Sequence, residues 1–247
     1  MSRKLHALLN RVLPRPVREV LRRRALQVIP SMRHLDMPTR LAHARDLGLS
    51  PAVIFDVGAA SGEWARMAAA VWPQASIIGF EPNVSCVPDL ERTRTRLQNF
   101  RYYRCFLGAS RSTVGYADRG TQTSLFDPGA QGATETAPML VLDEMVRDGV
   151  IPSADLIKLD VQGYELEVLR GAIGVLARCT AVILEVSFYP LGPGAPLVED
   201  VLEFMRQQGF VWYDVVGIYR RPSDDALGQM DLLFLRAGHT LLHGGLL

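Results

Sequence analysis

The residues able to do chemistry in this 247-residue chain stand at the ends of short apolar runs, where an α/β sheet would gather them. The first run closes in Asp56-Val57-Gly58-Ala59-Ala60-Ser61-Gly62. Glycine at 58 permits a tight turn with close backbone approach to a ligand, and Gly62 lets a helix begin against the strand. The pyrophosphate fingerprint GxGxxG is absent, because Ala60 stands where a middle glycine would be. The second run closes in Gly79-Phe80-Glu81-Pro82-Asn83. An acid at that tip accepts hydrogen bonds from both hydroxyls of a ribose, so Glu81 points to an adenosine-containing ligand. Lys158 and Asp160 end a later run, two residues apart and therefore on one side of a strand, with Lys158 placed to orient Asp160 or hold it ionised. Glu185 ends the next run as a second carboxylate. Asp160 is the candidate general base, with Lys158 and Glu185 beside it. The structural alternatives are that Asp160 caps the following helix or holds a cofactor, and that Glu185 makes a buried ion pair with Lys158. The five histidines, His6, His34, His43, His239 and His243, lie in terminal regions, which supports neither a histidine base nor a histidine metal site.

The elements that must position these groups follow from apolar runs alternating with amphipathic stretches. Strands are expected at Val53–Val57, Ser76–Phe80, Phe100–Phe106, Leu156–Leu159, Ala181–Val186, Phe210–Val216 and Asp231–Arg236. Helices are expected at Gly62–Val71, Val87–Gln98, Gly163–Ala177 and Pro196–Gln208. Such alternation implies a parallel sheet covered by helices on both faces. From Ser110 to Pro138 the alternation stops amid Gly115, Gly120, Gly129, Gly132 and many Thr and Ser, which reads as an inserted hairpin or loop over one sheet edge. Before the first strand, Leu5, Leu8, Leu9, Val12 and Leu13, then Val17, Val20, Leu21 and Val28, fall at helical spacing around Pro14 and Pro16. A third helical stretch, Thr39–Leu47, ends at Gly48.

The charge balance is uneven. The whole chain sums to +1, but residues 1–45 hold eleven Lys/Arg against two Asp/Glu, a balance of +9, which leaves −8 on the remaining 202 residues. A basic amphipathic arm over residues 1–48 is thus joined to an acidic domain over residues 49–247. No apolar run approaches the roughly 20 residues of a membrane span, and arginines interrupt any secretory h-region, so a cytoplasmic protein is expected. Cys86, Cys105 and Cys179 are odd in number and widely spaced, and read as buried thiols.

Four separated motifs occur in a particular order: DVGAASG from Asp56, FEPN from Phe80, IKLDVQGYELEVLRGA from Ile157 and ILEV from Ile183, with Asp231-Leu232-Leu233-Phe234 near the end. Together they resemble the FkbM-type methyltransferases over about residues 50–237. The resemblance implies an O-methyltransferase dependent on S-adenosylmethionine. Its fold would be a Rossmann-like seven-stranded sheet, mostly parallel with the last strand antiparallel, and helices on both faces. It implies the methionine part of the cofactor near Asp56 and Gly58, in the turn that also holds Ala59 and Gly62. The ribose would lie at Glu81, beside Pro82 and Asn83, and the adenine near Phe106 to Ala109, including Leu107. A sulfonium and an ammonium suit a pocket lined by Asp56, Glu81 and Asp160. Ser124, in a stretch similar to the family's Ser-rich loop, is an acceptor contact or a turn serine. Gln162 and Tyr164 fall on the acceptor side, and Tyr164, Phe188 and Tyr189 either stack on a ring or pack at the rim. Family members often carry Asn at the place of Ala60 and Glu at that of Gln162, which removes an acid or metal-ligand role from position 162. Glu165 and Glu167, early in a helix, are explained by its dipole.

The resemblance points to hydroxyl acceptors on sugars and polyketide-type products, and an acidic domain disfavours nucleic acid. The leading acceptor is a sugar hydroxyl of a cell-surface or secreted glycolipid. The arm then has three readings: peripheral contact with anionic lipid at the inner membrane surface, docking on the acidic domain, or a homodimer interface. Two further functions compete. A Rossmann-type oxidoreductase is opposed by the missing GxGxxG, and a non-catalytic cofactor-binding partner subunit is opposed by intact Asp56, Glu81, Lys158 and Asp160.

Overall fold

The computed structural model describes residues 36–118 and 135–243. The two amphipathic helices expected in the arm, and Ser124, lie outside the described residues. Ten strands follow in chain order: β1 (Val53–Val57), β2 (Ser76–Phe80), β3 (Phe100–Tyr103), β4 (Phe106–Leu107), β5 (Ser112–Tyr116), β6 (Glu135–Leu140), β7 (Leu156–Leu159), β8 (Ala181–Ser187), β9 (Phe210–Arg220) and β10 (Leu227–Arg236). The helices are α1 (Met37–Asp46), α2 (Glu63–Val71), α3 (Val87–Arg96), α4 (Leu142–Arg147), α5 (Glu165–Arg170), α6 (Ile173–Leu176) and α7 (Val198–Gln207).

Seven strands form one sheet in the order β3-β2-β1-β7-β8-β10-β9. The pairs from β3 to β8 are parallel, and β10 runs antiparallel to both its neighbours. This is the mostly parallel Rossmann-like sheet expected. Period-two alternation explains why both faces are apolar. Phe55, Val57, Ile157, Leu159, Val182 and Leu184 pack against α4 to α7, while Ile54, Leu156, Ile183 and Leu233 pack against α1, α2 and α3. Leu41 and Ala44 of α1 are buried in the second of these cores, so residues from Met37 onward are built into the folded body.

The structure departs from the sequence reading in four places. The third strand stops at Tyr103 because Cys105 N–H bonds back to the Tyr103 carbonyl (3.2 Å), a tight turn that sends Phe106–Leu107 to a different sheet. In that three-stranded sheet, ordered β4-β6-β5, the described ends of the expected insertion form the antiparallel β5–β6 pair. The expected helix Gly163–Ala177 is two short helices, broken at Gly171. A Cβ there would lie 2.1 Å from the Gly108 carbonyl, so only glycine lets the backbone pass this close to the segment after β4. Finally, β9 and β10 extend past their expected ends at Val216 and Asp231, and their hairpin reaches over the C-terminal edge of the sheet.

Candidate active site

The strand order reverses between β1 and β7, and ligands bind outside the carboxyl ends of strands at such a point. A cavity of about 670 Å³ opens there. Among the expected site residues, Gly58, Ala59, Glu81, Pro82, Leu107, Lys158, Asp160, Gln162, Tyr164 and Glu185 line it. Asp56, Gly62 and Asn83 do not. Gly62 caps α2 with φ +72°, and Asn83 is buried behind Glu81, to which it donates its backbone N–H (3.0 Å). None of His43, His239 or His243 lines the cavity.

Gly58 is required by geometry. Its φ is +76°, and a Cβ would stand 2.0 Å from the Asp160 carbonyl oxygen. The turn therefore lies directly against the end of β7, and its Gly58 and Ala59 N–H groups bond the Phe80 carbonyl of β2 (3.0 and 3.1 Å). Ala60 also has a left-handed backbone (φ +45°), a conformation that Gly and Asn adopt at lower cost. Its N–H donates to Glu81 Oε2 (2.8 Å) while Asn83 N–H donates to Oε1. Each carboxylate oxygen keeps a further lone pair, so Glu81 can still accept hydroxyls from the cavity. Burial raises its pKa above the usual carboxylate value, against the two backbone hydrogen bonds.

One face of the sheet carries a row of charge at its C-terminal edge. Asp56 pairs in register with Lys158 on β7, and Glu185 on β8 pairs in register with Asp231 on β10. Asp56 is fully buried beneath Lys158, whose Nζ lies 3.4 Å from Asp56 Oδ1, 3.5 Å from Asp160 Oδ2 and 3.2 Å from the Gly58 carbonyl. Burial lifts Asp56 to about 6, partly offset by Lys158. Burial alone would depress Lys158, but the charges of Asp160, Asp56 and Asp231 outweigh it and hold the ammonium above the ordinary lysine value. The alternative weighed for Glu185, an ion pair with Lys158, is not formed; two amides take its place, Gln162 Nε2 (3.2 Å) and Gln229 Nε2 (2.6 Å), which donate to Glu185 Oε2. Burial, then the Asp160 and Asp231 charges, push Glu185 up to about 9.

The segment after β7 is shaped by Glu165. Its Oε1 accepts the Val161 and Gly163 N–H groups (3.1 Å each), and burial lifts the carboxyl to about 7. Helix dipole alone does not describe this residue; it holds the turn in which Gln162, at φ +54°, reaches Asp160 Oδ1 (2.9 Å). Glu167, by contrast, is an exposed partner of Arg170.

Asp231, Gln229, Tyr219 and Trp64 also line the cavity and escaped the sequence reading as site residues. The available signal was the acid that opens the apolar run Leu232–Leu235, once the β8–β10 register sets it opposite Glu185. Met37 and Pro38 contribute as well, and Trp64 Nε1 donates to Met37 Sδ (3.3 Å), so the start of α1 borders the cavity. Cys86, Cys105 and Cys179 are buried and unpaired, and Cys105 lines the cavity. Among the described residues no cluster of three or more His, Cys, Asp or Glu is arranged to hold a metal ion. No described helix is long and apolar enough to cross a membrane.

A sheet in this order, with a glycine turn after β1 and an acid at the tip of β2, is that of the Rossmann-like methyltransferases. The methyltransferase FkbM domain matches residues 56–212, and the chain belongs to this family of methyltransferases. The hexuronic acid methyltransferase AglP of Haloferax volcanii is 27% identical over 180 residues, covering 70% of this chain and 72% of the relative. Among solved structures, an FkbM methyltransferase from Methylobacillus flagellatus aligns with a TM-score of 0.49 at 15% identity, over 73% of this chain and 43% of that one. A precorrin-6y C5,15-methyltransferase from Geobacter metallireducens aligns with a TM-score of 0.47 at 14% identity, over 81% and 86%. Family membership replaces the oxidoreductase reading.

Proposed function

We propose that this chain is an S-adenosylmethionine-dependent O-methyltransferase whose acceptor is a sugar hydroxyl of a glycolipid, polysaccharide or glycosylated natural product. The observation that carries the reading is the reach of the cavity, from Glu81 on the β2 tip to Asp231 on β10. That is four interstrand steps, roughly 19 Å at the usual strand spacing, which accommodates a nucleoside-sized ligand and an acceptor side by side. The residues fit the cofactor. Glu81 retains lone pairs for ribose hydroxyls, Leu107 and Pro82 offer apolar surface to a base, and the surplus of carboxylates suits a sulfonium and an ammonium. The hexuronic acid substrate in the name of the AglP relative supports a sugar acceptor.

When bound, the cofactor supplies an already activated methyl group. The chain then has to hold an acceptor oxygen in line with it, exclude water and take a proton. We assign the proton to Asp160. Lys158 and Gln162 fix its two oxygens, and its side chain is 36% exposed, open to an acceptor. Glu185, pushed up to about 9, keeps its proton near neutral pH and acts as a hydrogen-bonding partner of the acceptor rather than as the base. The test is transfer of labelled methyl from S-adenosylmethionine to a panel of deoxysugar and glycolipid acceptors. Incorporation is expected in wild type, and Asp160→Asn should cut turnover by about 100-fold or more while sparing affinity for S-adenosylhomocysteine. Unchanged turnover would remove Asp160 as the base.

A lipid-linked acceptor would bring the enzyme to the inner membrane surface, a setting to which the +9 balance of residues 1–45 is suited. Co-sedimentation with anionic liposomes should then exceed that of a chain beginning at Pro38, and equal sedimentation would leave docking on the enzyme's own body or a homodimer interface as the role of the arm.

A further inference from the structure

The acceptor end of the cavity has a hydrogen-bonded floor and a bare aromatic wall. Along the floor, Lys158 holds Asp160, Gln162 bridges Asp160 to Glu185, and Gln229 of β10 holds Glu185 from the far side. The β9–β10 register sets Tyr219 opposite Gln229, and both line the cavity. Two residues back on β9, on the same side of the strand, Gly217 has no side chain to cover the ring, because a Cβ there would fall 2.0 Å from Asp231 Oδ2. A tyrosine that only finished a hairpin would pack on its cross-strand neighbour, but the Gln229 amide is drawn away to Glu185. Tyr219 is 55% exposed, more than any other large apolar side chain among the described residues, and no described ring stacks on it. Its hydroxyl tip lies deeper: burial there, then the charges of Asp231, Glu185 and Asp160, push the phenol up to about 12, so the group stays neutral. Polar groups on one side and an open aromatic face on another match a sugar ring, which carries hydroxyls around its edge and C–H groups on its faces.

Resting on the sugar methyltransferase reading, we infer that Tyr219 is the platform for the acceptor ring: its open face packs on a C–H face of the sugar, whose edge hydroxyls then lie along the floor from Asp160 to Gln229. The contact is present equally in the bound acceptor and in the transition state, so Tyr219 acts on KM rather than on kcat. Five interstrand steps, roughly 24 Å, separate β9 from the β2 tip that carries Glu81, so Tyr219 takes no part in holding the donor's ribose.

The test is steady-state methyl transfer by the full chain to methyl glycosides of glucose, galactose, mannose, rhamnose and glucuronic acid, with the best wild-type acceptor carried into the variants. Tyr219→Ala should raise KM for that acceptor by about tenfold and change kcat by less than about twofold. Tyr219→Phe keeps the ring face and loses the hydroxyl, and should hold KM within about twofold of wild type. Titration with S-adenosylhomocysteine should give the same affinity for all three proteins. A merely structural role would instead lower kcat and cofactor-product affinity along with acceptor binding. Unchanged KM in Tyr219→Ala, an equal loss in Tyr219→Phe, or a fall in S-adenosylhomocysteine affinity that parallels KM overturns the inference while the sugar methyltransferase reading stands. Tyr219→Leu, apolar but without a flat face, replaces Tyr219→Ala if that variant does not fold, and is read in the same way. Transfer to none of the five glycosides overturns the reading on which the inference rests, and the inference with it.

Discussion

Replacing Asp231 with Asn should flatten the pH dependence of stability in the cofactor-free protein. Burial, reinforced by the Asp160 charge and only partly offset by Lys158, raises the Asp231 carboxyl from 3.8 to about 7. The folded chain therefore holds this proton more tightly than the unfolded one. The stabilisation is complete below pH 3.8 and is lost as pH rises through about 7. The interval between those values corresponds to about 4 kcal/mol, and because the side chain is only 4% exposed, solvent screening removes little of it. At roughly 2–4 °C per kcal/mol for a domain of this size, the wild-type melting temperature should fall by about 10 °C more than that of the variant between pH 4 and pH 8. Thermal unfolding followed by circular dichroism at those two pH values measures the difference directly. Parallel curves for the two proteins would refute the claim that Asp231 is buried with a displaced proton affinity.

Other consequences are local. Gly58→Ala places a methyl against the Asp160 carbonyl at a positive φ, and should cost more than about 2 kcal/mol in denaturant unfolding as well as abolish cofactor-product binding. Ala60→Gly releases a left-handed alanine and should stabilise the chain by up to about 1 kcal/mol, read as a higher urea midpoint with an unchanged slope. Glu165→Ala strips the Val161 and Gly163 N–H groups of their acceptor, and should destabilise by about 2 kcal/mol and raise KM for the acceptor by loosening the turn that carries Gln162.

The central strands were legible because β1, β2, β7 and β8 are short apolar runs bounded by turn residues, and the acids at their tips follow from where such runs end. Glu81, Asp160 and Glu185 could be placed at one sheet edge on that basis alone. Register was not legible. That Asp56 lies beneath Lys158, and Asp231 opposite Glu185, depends on strand pairings that a shift of one residue would undo. The hairpin ends were hidden for a local reason: Gly217 and Gly228 look like strand breakers, yet β9 and β10 continue through them and carry Tyr219 and Gln229 to the cavity. The small sheet was hidden because Pro138 interrupts β6 and Gly115 interrupts β5, and Pro138 is tolerated where β6 pairs with β5 alone. The end of the arm read as a helix, but the burial of its Leu41 and Ala44 depends on tertiary contacts with α2 and β9, including the Arg40–Asp214 ion pair.

The claim that a methyl-donor site spans the β1–β7 reversal is tested most directly by isothermal titration of the full chain with S-adenosylhomocysteine. Saturable binding with one site per chain is predicted, weakened by about tenfold or more in Glu81→Ala, with no heat from NAD under the same conditions. Binding of NAD, or S-adenosylhomocysteine affinity indifferent to Glu81, would contradict it.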